Sequence, residues 1–348
     1  MSKKQEAPIH LLGESNGSRS VAAGNAFAST GSGLLALFGR LLRPSLTTAL
    51  ALPLVWGLAL AHWHGAALNG WIITLLLIAN GAFCIGLNLA GQYTDFRRAF
   101  DSDRSLLDDD RDALTLSKAG QYPPIQDVFQ LLQTRRVRLG TVRSLVFLSL
   151  WITLLSYIWL SQLAGWPLLF FGLLSILLAV VPLVPVIRFS RWQWLLGDLA
   201  VLIAVGALPV LSAYYAHRLM IDHWVLLGSA APAILAWLTF MTYNLLSWRR
   251  DWRLRRGTAV IIFGAERALD GAAVMGVAAF TSVLLLMALG ALPLSSLLVL
   301  GALPIFLRAF THNTQQPITH AAASYIIDRS TQAAILAGLL WMLALWNG

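Results

Sequence analysis

The chain has 348 residues, of which 57% are hydrophobic and only 12% are charged, and its formal net charge at pH 7 is +9. A soluble domain of this length normally carries about twice that charged fraction, so the composition excludes an ordinary water-soluble enzyme. The positive charge does not favour nucleic-acid binding, because the basic residues lie beside apolar segments and among carboxylates.

Residues 1–33 are polar and rich in Ser, Gly and Asn, and we expect them to form a disordered cytoplasmic leader. Residues 34–348 are expected to form a single transmembrane domain. Its apolar runs repeatedly reach the roughly 20 residues that a membrane span needs. They predict an all-α, polytopic bundle of about nine membrane helices, at 45–63, 70–92, 141–161, 166–187, 193–215, 223–246, 268–289, 291–310 and 331–346.

The predicted loops differ in basic residues. Of the 25 Lys and Arg residues, all except Arg218 lie in the leader or in loops that follow even-numbered helices. The positive-inside rule then places the leader and those loops in the cytoplasm, and an odd number of spans places the carboxyl terminus outside. We therefore expect a multi-pass protein of the cell membrane.

Two of the cytoplasmic loops repeat a polar pattern. Asn88 precedes Asp95 by seven residues, and Asn244 precedes Asp251 by seven residues. Seven residues are about two helical turns, so each Asn lies on the same face as its Asp, and Gln92 joins the first pair. The pattern predicts an internal repeat that delivers amide and carboxylate oxygens to one membrane depth.

Paired carboxylates near arginines suit a magnesium diphosphate. Magnesium takes carboxylate and phosphate oxygens, and arginine forks bind the remaining phosphate oxygens. In a membrane protein such a substrate is an isoprenoid diphosphate, whose tail lies between helices. The alternative is that these charges only set topology in a solvated loop.

Four segments carry a family resemblance. They are Arg43-Pro44 with Leu52-Pro53, Asn88 to Asp95 with Asp101, Gly197-Asp198 through Tyr214-Tyr215, and Tyr243 to Gly264. In their order and spacing the chain resembles the UbiA superfamily of membrane prenyltransferases. The likeness is strongest to the menaquinone-type branch, which prenylates dihydroxynaphthoate.

The resemblance implies transfer of a polyprenyl chain from its diphosphate to an aromatic acceptor, with Mg2+ as cofactor and the bilayer as surroundings. The expected metal-binding and catalytic residues are Asp95, Asp101 and Asp251. The expected diphosphate-binding residues are Arg97, Arg104, Lys118, Arg250 and Arg256. The expected pocket residues are Asn88, Gln92, Tyr93, Asp198, Asn244 and Ser247.

The chain departs from the family at several motif positions. Gly91 and Gln92 stand where the family has Asn-Asp, Ser247 stands where it has Asp, and Arg255-Arg256 stands where it has Gly-Lys. Lost carboxylates and added arginines shift the site toward positive charge, which weakens divalent-metal binding but suits an anion.

These departures leave a second hypothesis open. It is a non-catalytic relative that binds a prenyl lipid, quinone or pigment, or that serves as a structural subunit of a membrane complex. A secondary transporter is a third interpretation. Against it, the sequence lacks the pattern of broken midplane helices, with Gly and Pro at matching positions of both halves, that such folds usually contain.

Overall fold

The computed structural model describes residues 44–102, 128–133, 137–188, 190, 192–311 and 320–346. The described residues form helices and connecting turns, with no strand among them. The predicted leader lies outside this range. The helices are α1 Pro44–Trp63, α2 Gly70–Ser102, α3 Val128–Gln133, α4 Leu139–Ala164, α5 Pro167–Val180, α6 Pro185–Arg188, α7 Gln193–Arg218, α8 His223–Gly228, α9 Ala230–Arg253, α10 Ala259–Phe263, α11 Ala265–Ala288, α12 Leu303–Thr311 and α13 His320–Trp346, with 3-10 segments at Val181–Leu183 and Leu294–Ala302.

The fold is that of an integral, multi-pass membrane protein. Within the described residues, seven helical segments are long and apolar enough to cross a membrane: Gly70–Phe100, Leu139–Ala164, Gln193–Arg218, His223–Trp248, Ala265–Ala288, Leu294–Thr311 and Ala322–Trp346. Two further apolar helices, Thr48–Trp63 and Pro167–Leu183, are shorter. Each predicted span therefore coincides with a helical segment, and the all-α prediction is confirmed. The count of nine crossings stays a prediction.

The outward faces of the helices are apolar. On α4, Trp151, Leu155 and Trp159 are each more than half exposed, although a soluble protein would bury such side chains. Large exposed apolar patches mark contact surfaces, and here the patch runs along a membrane-length helix. Lipid tails are therefore the expected neighbours of this face.

The interior is closed by α1, α7, α9 and α13. Trp56 of α1 and Trp341 of α13 stack with ring centroids 3.7 Å apart, and Trp341 Nε1 donates a hydrogen bond to the Trp56 carbonyl oxygen at 3.3 Å. The backbones of α7 and α9 are also in close contact. A Cβ atom added to Gly206 would lie 2.4 Å from the Cα atom of Ala233, so only glycine fits this crossing.

Three helices extend further than the sequence predicts, and one of them is α13, which begins at His320 instead of residue 331. α2 continues beyond residue 92 to Ser102, and the α9 helix continues beyond residue 246 to Arg253. The extension of α2 is stabilised by packing, because Phe96 and Ala99 are buried in a cluster with Val128 of α3. Asp95 and Asp251 consequently lie on helices, and the prediction that they belong to loops was wrong.

Candidate functional site

Asp95 near the end of α2 is held by an arginine from α6. Arg188 donates from Nε to Asp95 Oδ1 and from Nη2 to Asp95 Oδ2, both at 2.8 Å. The two side chains are only 4% and 3% exposed. The guanidinium also donates to the carbonyl oxygens of Gly91 at 2.8 Å and Pro182 at 3.0 Å. A bidentate, charge-assisted contact of this kind fixes both the position and the charge of the carboxylate.

A second arginine joins the two halves of the predicted repeat. Arg256 Nη1 lies 3.5 Å from Asp95 Oδ2 and 3.4 Å from Asp251 Oδ1. Asp251 is fully buried and Arg256 is 6% exposed. The ends of α2, α6 and α9 therefore meet in one ionic network, in which guanidinium groups alternate with carboxylates.

The turn after α9 positions Arg256. Arg256 N–H donates to the Asp251 carbonyl oxygen at 2.8 Å, and Arg255 N–H donates to the Trp252 carbonyl oxygen at 3.1 Å. This pair of bonds is the Schellman arrangement, which needs a left-handed residue after the helix. Arg255 fills that place with φ +56°, a conformation that glycine adopts more readily. The turn brings the side chain of Arg256 back over the end of α9.

Burial and charge oppose one another in this network. Burial raises the pKa of the Asp251 carboxyl above its ordinary value, and the negative charge of Asp95 adds to the effect, while Arg256 opposes it. Burial would lower the pKa of Arg256, but the attraction of Asp251 and Asp95 outweighs burial and holds that pKa above its ordinary value. The half-buried Arg250 adds a further positive charge that acts on both carboxylates.

The departure at Gly91 has a structural reason. A Cβ atom at this position would lie 3.3 Å from Arg188 Nη2, which is closer than side chains normally approach. Gly91 thus leaves room for the guanidinium and offers it a carbonyl oxygen. The neighbouring Gln92 donates from Nε2 to Asn88 Oδ1 at 3.0 Å, and Tyr93 is half-buried in the next position.

The departure at Ser247 belongs to the same network. Ser247 Oγ donates to Asp251 Oδ2 at 3.0 Å, so a hydroxyl donor contacts the carboxylate where the family has another acid. Asn244, which precedes Ser247 by one helical turn, is 6% exposed. Asn244, Ser247 and Asp251 of the second motif therefore lie together on α9.

Asp198 lies in an irregular part of α7. It is 4% exposed, and its Oδ2 atom has no hydrogen-bond partner among the described residues. Stretches of π-helix precede and follow it, at Gln193–Gly197 and Leu202–Ala207. Widened turns of this kind occur often at functional sites, and the charge of Asp198 interacts with that of Arg256.

The remaining predicted residues are placed only in part. Arg97 is on the exposed side of α2. The backbone of Asp101 belongs to the last turn of α2, while its side chain is outside the described residues. Arg104 and Lys118 also lie outside them. Their proposed contacts with a diphosphate stay predictions.

Sequence reasoning missed Arg188, the residue that contacts Asp95 most closely. Its one visible signal was a basic residue directly after an apolar segment that contains Pro182 and Pro185. Val184 is extended (φ −61°, ψ 122°), as the residue before a proline usually is, and Arg188 lies on the short helix that begins at Pro185. The sequence alone does not show which distant carboxylate it meets.

The described carboxylates do not fit a magnesium ion as they are arranged. Magnesium requires oxygen ligands about 2.1 Å away in near-octahedral geometry. Both oxygens of Asp95 are engaged by Arg188, and the oxygens of Asp251 are engaged by Arg256 and Ser247. Among the described residues no group of three or more His, Cys, Asp or Glu side chains could hold a metal. To bind Asp95 or Asp251, a magnesium ion would have to displace a guanidinium or the Ser247 hydroxyl.

Comparison with solved structures identifies the fold. A UbiA homologue from Archaeoglobus fulgidus bound to GPP and Mg2+ aligns with a TM-score of 0.56 at 13% identity, over 88% of this chain and 99% of that chain. A UbiA homologue from Aeropyrum pernix K1 in its apo form aligns with a TM-score of 0.55 at 17% identity, over 85% and 97%. A digeranylgeranylglyceryl phosphate synthase aligns with a TM-score of 0.56 at 11% identity, over 90% and 99%.

No family model matches the sequence, and no curated protein matches it. The fold and the buried charge cluster define a polytopic membrane protein with an ionic site at one end of its bundle. This protein has the UbiA fold along most of its length.

Proposed function

We propose that this protein is a membrane prenyltransferase, which moves a polyprenyl chain from its diphosphate to an aromatic acceptor. The observation that carries the proposal is Arg256, which joins the two motif carboxylates, Asp95 and Asp251, at one end of an apolar bundle. A polar head and an apolar tail meet at such a boundary, as they do in a prenyl diphosphate. The neighbours of known fold support it, since one was bound to GPP.

The reaction we propose is an alkylation. The allylic carbon–oxygen bond breaks with its electron pair going to the diphosphate, the aromatic carbon bonds to the allylic cation, and the ring proton passes to the diphosphate. Arg250 and Arg256, with Arg97, Arg104 and Lys118, would offset charge on the leaving group. Asn88, Gln92, Tyr93, Asp198, Asn244 and Ser247 would line the pocket that keeps water from the cation.

The acceptor belongs to the proposal as well. We propose a quinone-type aromatic ring, with dihydroxynaphthoate as the first compound to test, because the motif resemblance is strongest to the menaquinone-type branch. We also propose that the site faces the cytoplasm, since basic residues concentrate at that side. Reporter fusions at the two termini test the orientation, and activity of an extracytoplasmic reporter at the amino terminus would contradict it.

Product formation tests the function. Purified protein in lipid nanodiscs would receive a polyprenyl diphosphate with dihydroxynaphthoate and related aromatic acceptors, with mass spectrometry of the extract. We expect a prenylated product that is lost in Arg256→Gln and retained in Arg143→Gln. Arg143 is an exposed residue of α4 and a matched loss of one guanidinium.

A second candidate function is favoured by one observation. Both described motif carboxylates, Asp95 and Asp251, are buried in ion pairs. That is the arrangement expected of a site that has become structural. In that case the bundle binds a prenyl lipid, quinone or pigment without reaction. Retained prenyl-lipid binding with no product from any acceptor would favour it over the enzyme.

A further inference from the structure

We infer that Arg188 and Arg256 take the place of divalent metal in this site, so that it holds a prenyl diphosphate in a metal-free form. This inference rests on the proposed function for the identity of the ligand. It concerns how the diphosphate is bound, and not whether transfer follows.

Arg256 places a positive charge between the two carboxylates. A cation shared between carboxylates must lie within a few ångströms of both, and Arg256 Nη1 lies 3.5 Å from Asp95 Oδ2 and 3.4 Å from Asp251 Oδ1. The guanidinium carries the charge to the same junction of α2 and α9. Arginine stays protonated at any physiological pH, so this charge is permanent.

The motif departures at Gly91 and Ser247 both contribute to the ionic network. Gly91 makes room for Arg188 and accepts from it, and Ser247 donates to Asp251. Two positions that hold a polar or acidic residue in the family now accommodate or supply hydrogen-bond donors. Random loss of a metal site would leave buried carboxylates without partners, which is strongly unfavourable. Here Asp95 and Asp251 are both satisfied.

Two buried hydrogen-bond donors beside the network are available to a ligand. Arg256 Nε and Thr258 Oγ1 are buried and have no hydrogen-bond partner among the described residues. The two residues flank one position of the turn after α9, and Thr258 is fully buried. Buried donors normally have partners. A phosphate oxygen is an acceptor that matches a guanidinium and a hydroxyl.

The charges at this junction act on one another. Arg188, Arg250 and Arg256 act on Asp95, Arg250 and Arg256 also act on Asp251, and Asp198 acts on Arg256. A divalent cation bound at Asp95 or Asp251 would therefore lie close to guanidinium groups, in a buried region where repulsion is weakly screened.

The test measures binding and metal content separately. Wild-type protein in lipid nanodiscs would be titrated with geranyl diphosphate by calorimetry, once in EDTA and once in excess MgCl2, and Mn2+ binding would be followed by electron paramagnetic resonance. We expect equal affinity in the two buffers and no bound Mn2+. Arg256→Gln should weaken binding about tenfold, equivalent to about 1.4 kcal/mol, whereas Arg143→Gln should not.

Arg256→Lys serves if Arg256→Gln does not fold, because it keeps the buried charge and removes Nε and the fork. It too should bind geranyl diphosphate more weakly than the wild type. Affinity that requires Mg2+, or stoichiometric Mn2+, would overturn the inference and leave the proposed transfer intact. Metal-free binding without prenyl transfer would support the inference and contradict the proposed function. No binding in either buffer would overturn both.

Discussion

The guanidinium of Arg188 donates two hydrogen bonds of 2.8 Å to the carboxylate of Asp95, although the residues are 93 positions apart in sequence. Asp95 is one of the three acids predicted to bind metal, and here it is half of a buried ion pair. The pair explains how a strongly apolar chain tolerates a carboxylate at this depth, because the charge is matched within hydrogen-bond distance.

Breaking this pair from one side should destabilise the protein. Arg188→Gln removes the bidentate partner of Asp95 and leaves only Arg256, whose Nη1 is 3.5 Å away, so the expected loss is about 3 kcal/mol. Arg188→Gln/Asp95→Asn removes both charges and should recover much of that loss. A double-mutant cycle of unfolding in detergent measures the coupling. Losses that simply add would contradict the ion pair.

Restoring the family residue at Gly91 should disturb the same pair. Gly91→Asn places a Cβ atom, and then an amide, against Arg188 Nη2, so the guanidinium must move away from Asp95. We expect a lower midpoint of thermal unfolding and little additional cost of Asp95→Asn in this background. The control is Gly70→Asn at the start of α2, where a Cβ atom meets nothing within 4 Å. Equal effects of the two substitutions would count against the steric role of Gly91.

A glycine in place of Arg255 should stabilise the turn that positions Arg256. Arg255 has φ +56°, and a residue other than glycine pays about 1 kcal/mol for the left-handed conformation. Arg255→Gly should therefore raise the unfolding midpoint, while Arg255→Ala removes the same charge and keeps the strain. Thermal unfolding followed by tryptophan fluorescence compares them. A glycine variant no more stable than the alanine variant would show that φ is not the cause.

One added methyl group at the crossing of α7 and α9 should destabilise the protein. Gly206→Ala puts a Cβ atom 2.4 Å from the Cα atom of Ala233, and overpacking of this kind costs about 2 kcal/mol. Gly81→Ala adds the same methyl group where nothing lies within 4 Å, and should leave stability unchanged or slightly higher. The comparison uses unfolding midpoints in one detergent. A Gly206→Ala protein as stable as the wild type would mean that the helices can separate without cost.

The bounds of the membrane helices were predictable to within a few residues at most ends, because a run of about 20 apolar residues matches the bilayer thickness and a helix satisfies its backbone groups there. The ends of α2 and α9 and the start of α13 were not. Phe96 and Ala99 are buried by α3, a segment distant in sequence, and local hydropathy carries no record of that contact. The Asn-to-Asp spacing nevertheless predicted a shared helical face, which the bond between Gln92 and Asn88 fits.

The site, like the helices, was predictable from the sequence only in part. The sequence by itself determined an apolar helical bundle and the two segments that carry Asp95 and Asp251, since these follow from residue type and spacing. Only the tertiary structure decided that Arg188 and Arg256 occupy those carboxylates. Charges pair through space, so the partner depends on how α6 and the turn after α9 are brought to the end of α2, and chain order does not encode that distance.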